Sequence, residues 1–176
     1  MTVDIRRPGP EDVDALLGFF GRIPPGERVF FKEAVLDRAA VEAWPTGGGR
    51  RALACEEEQI AGYCAVVPLT GWSDHVGEVR LVVDPGRRGQ GFGRALARWA
   101  LVQGVQLGLQ KLYVEVVAEQ EGAVAMFTGL GFQAEGLLRD HVRDRDGQLR
   151  DLVLLAHPVA DQWAAMASAG IDDALA

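Results

Sequence analysis

The sequence lacks the features that would send a chain into or across a membrane. None of its apolar runs approaches the length of a membrane span, and its first residues show no signal-peptide pattern. We therefore expect a cytoplasmic protein with no membrane partner. Internal repeats and low-complexity linkers are also missing. At 176 residues, with 48% apolar residues and a mean hydropathy near zero, the chain suits one globular domain with a sizeable core.

Cysteine and histidine are scarce, which argues against a metal site. The two cysteines, Cys55 and Cys64, lie in apparent strands without metal-ligand spacing, so we expect them to be buried and reduced. The three histidines, His75, His141 and His157, are scattered along the chain. A net charge of −7 argues against general nucleic-acid binding and is compatible with a cationic substrate.

Residues 78–99 are the stretch around which the chain is organised. An apolar run at 79–83 stops at the turn signal Asp84-Pro85-Gly86, and a basic, glycine-rich loop then leads into a helical pattern that starts at Phe92. Glycines let the backbone approach a ligand, and the N–H groups at a helix start carry partial positive charge. A strand, a glycine loop and a helix N-terminus in this order therefore predict an anion cradle.

The glycine spacing narrows the choice of anion. The loop lacks the Gly-Lys-Ser/Thr of a Walker loop, and its third glycine comes one residue early for a dinucleotide fingerprint. A nucleotide-binding enzyme and an ordinary strand–turn–helix with a solvated basic turn remain alternatives. The segment Arg88-Gly89-Gln90-Gly91-Phe92-Gly93 fits Arg-x-x-Gly-x-Gly after a Val-Val-Asp-Pro strand end. It resembles the pyrophosphate-binding motif of the GCN5-related N-acetyltransferases (GNAT).

Two further segments extend this resemblance over residues 3–157. Residues 120–132 are similar to the family's Asn-x-x-Ala-x-x-Leu-Tyr-x-x-x-Gly-Phe. A predicted closing hairpin, 136–143 with 149–156 around Arg145-Asp146-Gly147, is similar to those of bacterial and archaeal protein lysine acetyltransferases.

The order of elements predicts the fold class. We read a strand, two helices, three strands, a helix, a strand, a helix and two strands, with the second helix running from about Phe31 to Trp44. This order predicts an α/β (α+β) protein with a single mixed, mostly antiparallel sheet flanked by helices, and it matches the GNAT acetyltransferase fold. We expect the acetyltransferase domain at 1–158, with residues 159–176 as a tail that forms a short docked helix.

The resemblance implies acetyl-CoA as a co-substrate and no metal. The residues implied to hold it are Leu81, Val82 and Val83 on the strand, Arg87, Arg88, Gly89, Gln90, Gly91, Phe92, Gly93 and Arg94 around the loop, and Gln120 and Phe127 further on. In the family the strand diverges from its neighbour, so its free backbone groups would bind the pantetheine arm and one N–H would polarise the acetyl carbonyl. Arg87 or Arg88 is expected to be free to pair with phosphate.

The acceptor amine must lose a proton before it attacks. A lysine-type amine has a pKa of about 10.4, so roughly one in 2,500 is neutral at pH 7. Glu78 is the best candidate for the general base, and its pKa would need to rise by burial. The alternative is a strand-end glutamate in solvent. His75 is either a proton relay or an exposed loop histidine, and Glu115 is a third carboxylate that lies on the sheet surface or contacts substrate.

The sequence departs from the family pattern at two positions. Phe127 aligns with the tyrosine that usually protonates the leaving thiolate, and Gln120 aligns with an asparagine that often contacts the cofactor. Phe127 favours an alternative function, a non-catalytic acyl-CoA-binding regulatory domain. For the enzyme, the resemblance implies a primary amine on a protein lysine or a small molecule, with a slight preference for protein lysine. The terminal hairpin makes a homodimer a further expectation.

Overall fold

The computed structural model describes residues 3–28, 31–44 and 47–159. The strands within these ranges are β1 Asp4–Arg6, β2 Arg50–Glu56, β3 Gln59–Pro68, β4 Val76–Val83, β5 Lys111–Val117, β6 Gln133–Arg143 and β7 Leu149–Pro158. The α-helices are α1 Val13–Arg22, α2 Pro25–Arg28, α3 Arg38–Glu42, α4 Phe92–Gln106 and α5 Glu121–Thr128. No helix in the described ranges is long and apolar enough to cross a membrane.

The strands form one mixed sheet in the order β1-β2-β3-β4-β5-β7-β6. Strands β4 and β5 pair in parallel, and the other neighbouring pairs are antiparallel. The parallel pair requires a crossover connection, which α4 supplies. The predicted fold class, a mixed and mostly antiparallel sheet flanked by helices, is therefore confirmed.

Each face of the sheet has its own hydrophobic core. On one face α4 and α5 pack Phe92, Leu96 and Phe127 against the sheet. On the other face α1 buries Phe20, which meets the Tyr63 ring edge-on at 5.4 Å between centroids. Alternation along β4 divides its side chains between these faces, because successive residues of a strand point to opposite sides.

The second predicted helix, from Phe31 to Trp44, is wrong for most of its length. Only Arg38–Glu42 is helical, and Asp37 caps it by accepting a hydrogen bond from the Ala39 N–H at 2.9 Å. Residues 31–37 are irregular, and this segment sends Lys32 and Glu33 toward charged groups on the sheet. Those long-range ion pairs compete with the local helical pattern and override it.

The cysteines and the closing hairpin agree with the sequence predictions, and the predicted tail helix is largely outside the described residues. Cys55 and Cys64 are buried free thiols, as expected. The closing hairpin is present as β6 and β7, with β6 starting earlier than predicted, at Gln133. The predicted tail helix lies outside the described residues, apart from Val159, which is buried and donates its N–H to the Gln110 carbonyl at 2.8 Å.

Candidate active site

The site begins where the two parallel strands separate. Residues Val76 to Val79 of β4 pair with β5 through the register Val79↔Val114, and beyond this point no β4–β5 pairing continues. The rest of β4 still pairs with β3, and the rest of β5 still pairs with β7. The two strands thus present facing backbone edges across a gap.

The direction of individual backbone groups follows from the β3 pairing. The Asp84 N–H donates to the Ala61 carbonyl at 2.8 Å, so it points toward β3. Since backbone groups alternate between the two edges of a strand, Val82 also points toward β3, whereas Leu81 and Val83 point into the gap. The expected strand edge is therefore present at Leu81 and Val83, but the expectation is wrong for the Val82 backbone, which β3 already occupies.

A cavity fills the gap between the strands. Its walls come from β4, β5, α5 and the segments that precede α3. The lining residues are Glu27, Phe31, Lys32, Glu78, Val79, Arg80, Leu81, Val82, Val114, Glu115, Val116, Gln120, Ala123, Met126 and Phe127. The described lining combines apolar side chains with five charged ones, which suits a ligand with an aliphatic arm and a polar reacting end.

The glycine loop follows β4 directly and ends at a helix N-terminus. Gly89 and Gly91 have φ of 77° and 93°, in the left-handed region that favours glycine. Gly91 is the N-cap residue of the 15-residue helix α4, whose first N–H groups carry partial positive charge. A Cβ on Gly93 would lie 3.0 Å from the Met126 sulfur, so the Met126 side chain would have to shift to admit a larger residue there. The predicted strand–loop–helix geometry of an anion cradle is present.

The arginines of this loop are not free, which corrects the sequence expectation. Arg87 forms an ion pair with Glu56, and Arg88 forms one with Glu27. Arg94, in the first turn of α4, is exposed and forms no ion pair within the described ranges. The positive character of the cradle therefore comes from backbone N–H groups and Arg94 rather than from unpaired loop arginines.

The remaining predicted cofactor residues lie at the cradle and along α5. Phe92 is buried in the core, so only its backbone is available to a ligand. Gln90 is exposed, and its side-chain amide donates weakly to the Gly86 carbonyl at 3.4 Å. Gln120 is the N-cap residue of α5, makes no capping hydrogen bond with its side chain, and lines the cavity. Phe127 also lines it, is only 2% exposed, and meets the Phe132 ring edge-on at 5.1 Å.

Glu78 lies on the cavity wall between two cations. It is only 5% exposed, so the alternative of a glutamate in solvent is wrong. Its Oε1 lies 2.7 Å from the Lys32 Nζ, and its Oε2 accepts a hydrogen bond from Arg80 at 2.9 Å. Glu115 receives the same Lys32 ammonium at 2.9 Å. Burial alone would raise the pKa of Glu78, but the hydrogen bonds from Arg80 and Lys32 outweigh it and lower that pKa below its usual value. The rise in pKa that an effective base would need is therefore absent.

The charged chain continues away from the cavity into the second core. Arg80 also binds Glu33 at 2.9 Å, and Arg51 binds the same carboxylate oxygen at 2.9 Å. Arg51 donates to the Tyr63 hydroxyl at 3.1 Å and stacks over the Trp44 ring. This alternation of carboxylates and cations neutralises the site internally. It also anchors the irregular segment 31–37 to the sheet.

His75 does not reach the cavity. Its side chain is half-exposed, 3.9 Å from the Asp74 carboxylate, and it is not among the residues that line the cavity. Its backbone carbonyl instead accepts the Gln110 N–H at 2.8 Å and helps to place β5 beside β4. The proton relay predicted for His75 is therefore not supported by the positions of these residues.

Sequence reasoning missed three charged residues of the site: Lys32, Glu33 and Arg80. Arg80 had a usable signal, because residues two apart on a strand share a face and Arg80 follows Glu78 by two. Lys32 and Glu33 had none, since they lie in a segment whose apolar spacing suggested a helix. Their partners are on strands far along the chain.

The fold and the site together define a class of protein. A free strand edge that runs into a glycine-lined helix N-terminus suits an elongated ligand with an anionic group at one end, and a buried carboxylate faces the other end. A family model described as the acetyltransferase (GNAT) family matches residues 22–132. The chain belongs to this family.

Comparisons with individual proteins agree with this assignment. The chain is 31% identical over 80 residues to the [ribosomal protein bS18]-alanine N-acetyltransferase of Escherichia coli K12. This match covers 46% of the present chain and 53% of the Escherichia coli protein. It is 30% identical over 112 residues to the N-alpha-acetyltransferase RimI of Mycobacterium tuberculosis, covering 58% of this chain and 69% of that protein. The chain thus spans about half the length of the first of these relatives.

Solved structures show the same fold at lower sequence identity. The structure of yncA from Salmonella typhimurium with its cofactor acetyl-CoA superposes with a TM-score of 0.76 at 17% identity. The match covers 90% of this chain and 95% of that one. At this identity the likeness establishes the fold alone.

Proposed function

We propose that the protein is an N-acetyltransferase that moves the acetyl group of acetyl-CoA to a primary amine. One observation carries the proposal: the free edge of β4 connects the glycine cradle to a cavity that holds the buried Glu78. Membership of the acetyltransferase (GNAT) family supports it. The proposed catalytic domain spans residues 1–158, and the described sheet ends at Pro158.

The cradle and the strand edge suit the two parts of acetyl-CoA. Backbone N–H groups at Gly89, Gly91 and the start of α4 would hold the pyrophosphate, and Arg94 would add charge. The unpaired groups of Leu81 and Val83 would bind the pantetheine arm as an added strand. When bound, acetyl-CoA supplies an activated acyl group, and a β4 N–H in the gap would stabilise the oxyanion that forms on attack.

Glu78 is the proposed general base. Its lowered pKa keeps it ionised at neutral pH, so it is ready to accept a proton but has only modest basicity. Glu115 shares the Lys32 ammonium and lines the same cavity, so it is the residue against which this assignment must be compared. None of the described residues that line the cavity carries a hydroxyl, so none of them replaces the tyrosine hydroxyl that is missing at Phe127. Loss of the thiolate needs no strong acid, because a thiol pKa near 8.5 makes it an adequate leaving group.

The acceptor is proposed as a primary amine without a narrower assignment. The relative from Escherichia coli is named for an alanine of a ribosomal protein, and the relative from Mycobacterium tuberculosis for N-alpha-acetylation. These names favour an α-amine on a protein. The closing hairpin remains the argument for a protein lysine, and small-molecule amines complete the set to be tested.

The test is the release of CoA thiol with a panel of amines. Peptides with an N-terminal alanine, peptides with an internal lysine and a blocked N-terminus, and small polyamines would be compared at equal concentration. Amine-dependent thiol release with matching acetylated product is the expected result. Tight acetyl-CoA binding without release for any amine would favour the alternative, a non-catalytic acyl-CoA-binding domain, which Phe127 supports. Protection against heat by ATP or NAD rather than CoA would reject both.

A further inference from the structure

The sequence contains very few side-chain amines. Of its 18 basic residues, only Lys32 and Lys111 are lysines, and the other sixteen are arginines. Arginine keeps its proton in proteins and is therefore not a nucleophile at neutral pH, whereas a lysine amine can lose a proton and attack an acyl donor. The placement of the two lysines therefore decides which side-chain amine of this protein an acyl donor can modify.

The two lysines have different surroundings. Lys32 lines the cavity, and its Nζ lies 2.7 Å from Glu78 and 2.9 Å from Glu115. The free edge at Leu81 is part of the same cavity. Lys111 is not among the lining residues, and its Nζ lies 2.5 Å from the exposed Glu135. One amine is therefore already hydrogen-bonded to the proposed base, and the other serves as a natural control.

We propose that the protein acetylates its own Lys32, with acetyl-CoA as the acyl donor; the inference rests on the proposed function. Glu78 takes one proton from the Lys32 ammonium, and the neutral Nζ attacks the thioester carbonyl carbon. A C–N bond forms, the C–S bond breaks, and the electron pair of that bond leaves on the CoA sulfur. The thiolate then takes the second proton from nitrogen. The products are N-acetyllysine, CoA thiol and one proton, which passes from Glu78 to solvent.

The reaction is expected to be slow and to stop after one turnover. Burial lowers the pKa of Lys32, but hydrogen bonds to Glu78 and Glu115 outweigh it and raise that pKa, so the amine is held protonated. The amide product does not revert, so it accumulates to one acetyl group per chain. Acetylation removes the cation between Glu78 and Glu115, while Arg80 remains on Glu78.

The experiment measures the modified residue itself. Purified protein is incubated with acetyl-CoA without an acceptor, and intact mass and peptide mapping are followed over time at several protein concentrations. We expect one acetyl group, at Lys32, with a rate constant that does not depend on protein concentration. Lys32→Arg keeps the positive charge of the ion pairs and should remain unmodified. Lys111→Arg should be acetylated at Lys32 at the same rate as the original protein. Glu78→Gln should be acetylated more slowly, because glutamine cannot accept the ammonium proton.

Each other outcome has a defined meaning. Acetylation at Lys111 to the same extent as at Lys32 would show chemical acylation by the thioester and overturn the inference. A rate constant that rises with protein concentration would show transfer between molecules and overturn it as well. An unmodified Lys32 in a preparation that acetylates added amines would remove this inference and leave the proposed function intact. Absence of both acetyl-CoA binding and turnover would remove both.

Discussion

Replacement of Glu78 by glutamine tests whether this carboxylate removes the acceptor's proton. The fold should tolerate the change, because each cation that loses Glu78 keeps another carboxylate: Lys32 retains Glu115, and Arg80 retains Glu33. Glutamine has nearly the same volume and can still accept one hydrogen bond. The variant should therefore remain folded although it loses the charge on Glu78, and a melting curve of each sample shows whether a loss of rate can be assigned to chemistry.

The size of the loss should depend on the acceptor. For a lysine-type amine of pKa about 10.4, only roughly one in 2,500 is neutral at pH 7, which corresponds to about 4.6 kcal/mol of barrier. For an α-amine with a pKa near 7.8, roughly one in seven is neutral, or about 1.1 kcal/mol. Without the base, turnover depends on the amine that is already neutral. Glu78→Gln should thus cost up to about a thousandfold on a lysine peptide but only about tenfold on an α-amine peptide.

The assay is kcat/KM against pH for both peptide classes. On the lysine peptide the ratio of original to variant activity should fall by about tenfold per pH unit between pH 7 and pH 9, because solvent then deprotonates the amine. Glu115→Gln is the matched variant in the same cavity, since it also loses a Lys32 contact. A ratio that does not change with pH would refute the base assignment. A pH-dependent loss in Glu115→Gln instead would move the assignment to that residue.

Three other predictions follow from described contacts. Asp12 accepts two hydrogen bonds from Arg6, which lower its pKa, so Asp12→Asn should reduce the free energy of unfolding in denaturant by about 1–3 kcal/mol. This stabilisation is fully present above the pKa of the unfolded chain, 3.8, and is lost as pH falls through the lower pKa of the folded protein. Burial raises the pKa of Cys55 and Cys64, so both thiols should resist a thiol reagent until the protein unfolds. Phe127→Tyr should change kcat less than about tenfold, because thiolate needs little acid assistance; a larger rise in steady-state assays would show that protonation limits the rate.

Local patterns predicted the parts of the fold that local interactions determine. The helix α4 starts at Phe92, where the glycine loop ends, as the helical pattern predicted. The anion cradle was predictable for the same reason, since its geometry follows from neighbouring glycines and the first helical turn. The buried position of Glu78 was also expected for an effective base, and the structure bears it out.

Non-local charge pairing is what the sequence did not reveal. Arg87 and Arg88 pair with carboxylates 31 and 61 residues away along the chain, so a loop that reads as free positive charge is neutralised. The direction of the Glu78 pKa was missed for the same reason, because burial was foreseeable but Lys32 was not. The segment 31–37 has an apolar spacing that suggests a helix, and only the distant partners of Lys32 and Glu33 explain why it is irregular.

The charged side chains of the site are already paired with each other, so a charged ligand that binds them must displace a partner. At the cradle, Glu27 already occupies Arg88, and in the cavity Lys32 already occupies Glu78. A bound pyrophosphate that takes Arg88 must displace a carboxylate, and an acceptor ammonium that takes Glu78 must displace an ammonium. Each exchange replaces one charge-assisted hydrogen bond by another of the same type, so the net gain in binding free energy is small compared with the roughly 1.5–3 kcal/mol of one such bond. Affinity for acetyl-CoA must then rest mainly on the backbone N–H groups of the cradle and the free edge at Leu81 and Val83, whereas the ion pairs select ligands by charge.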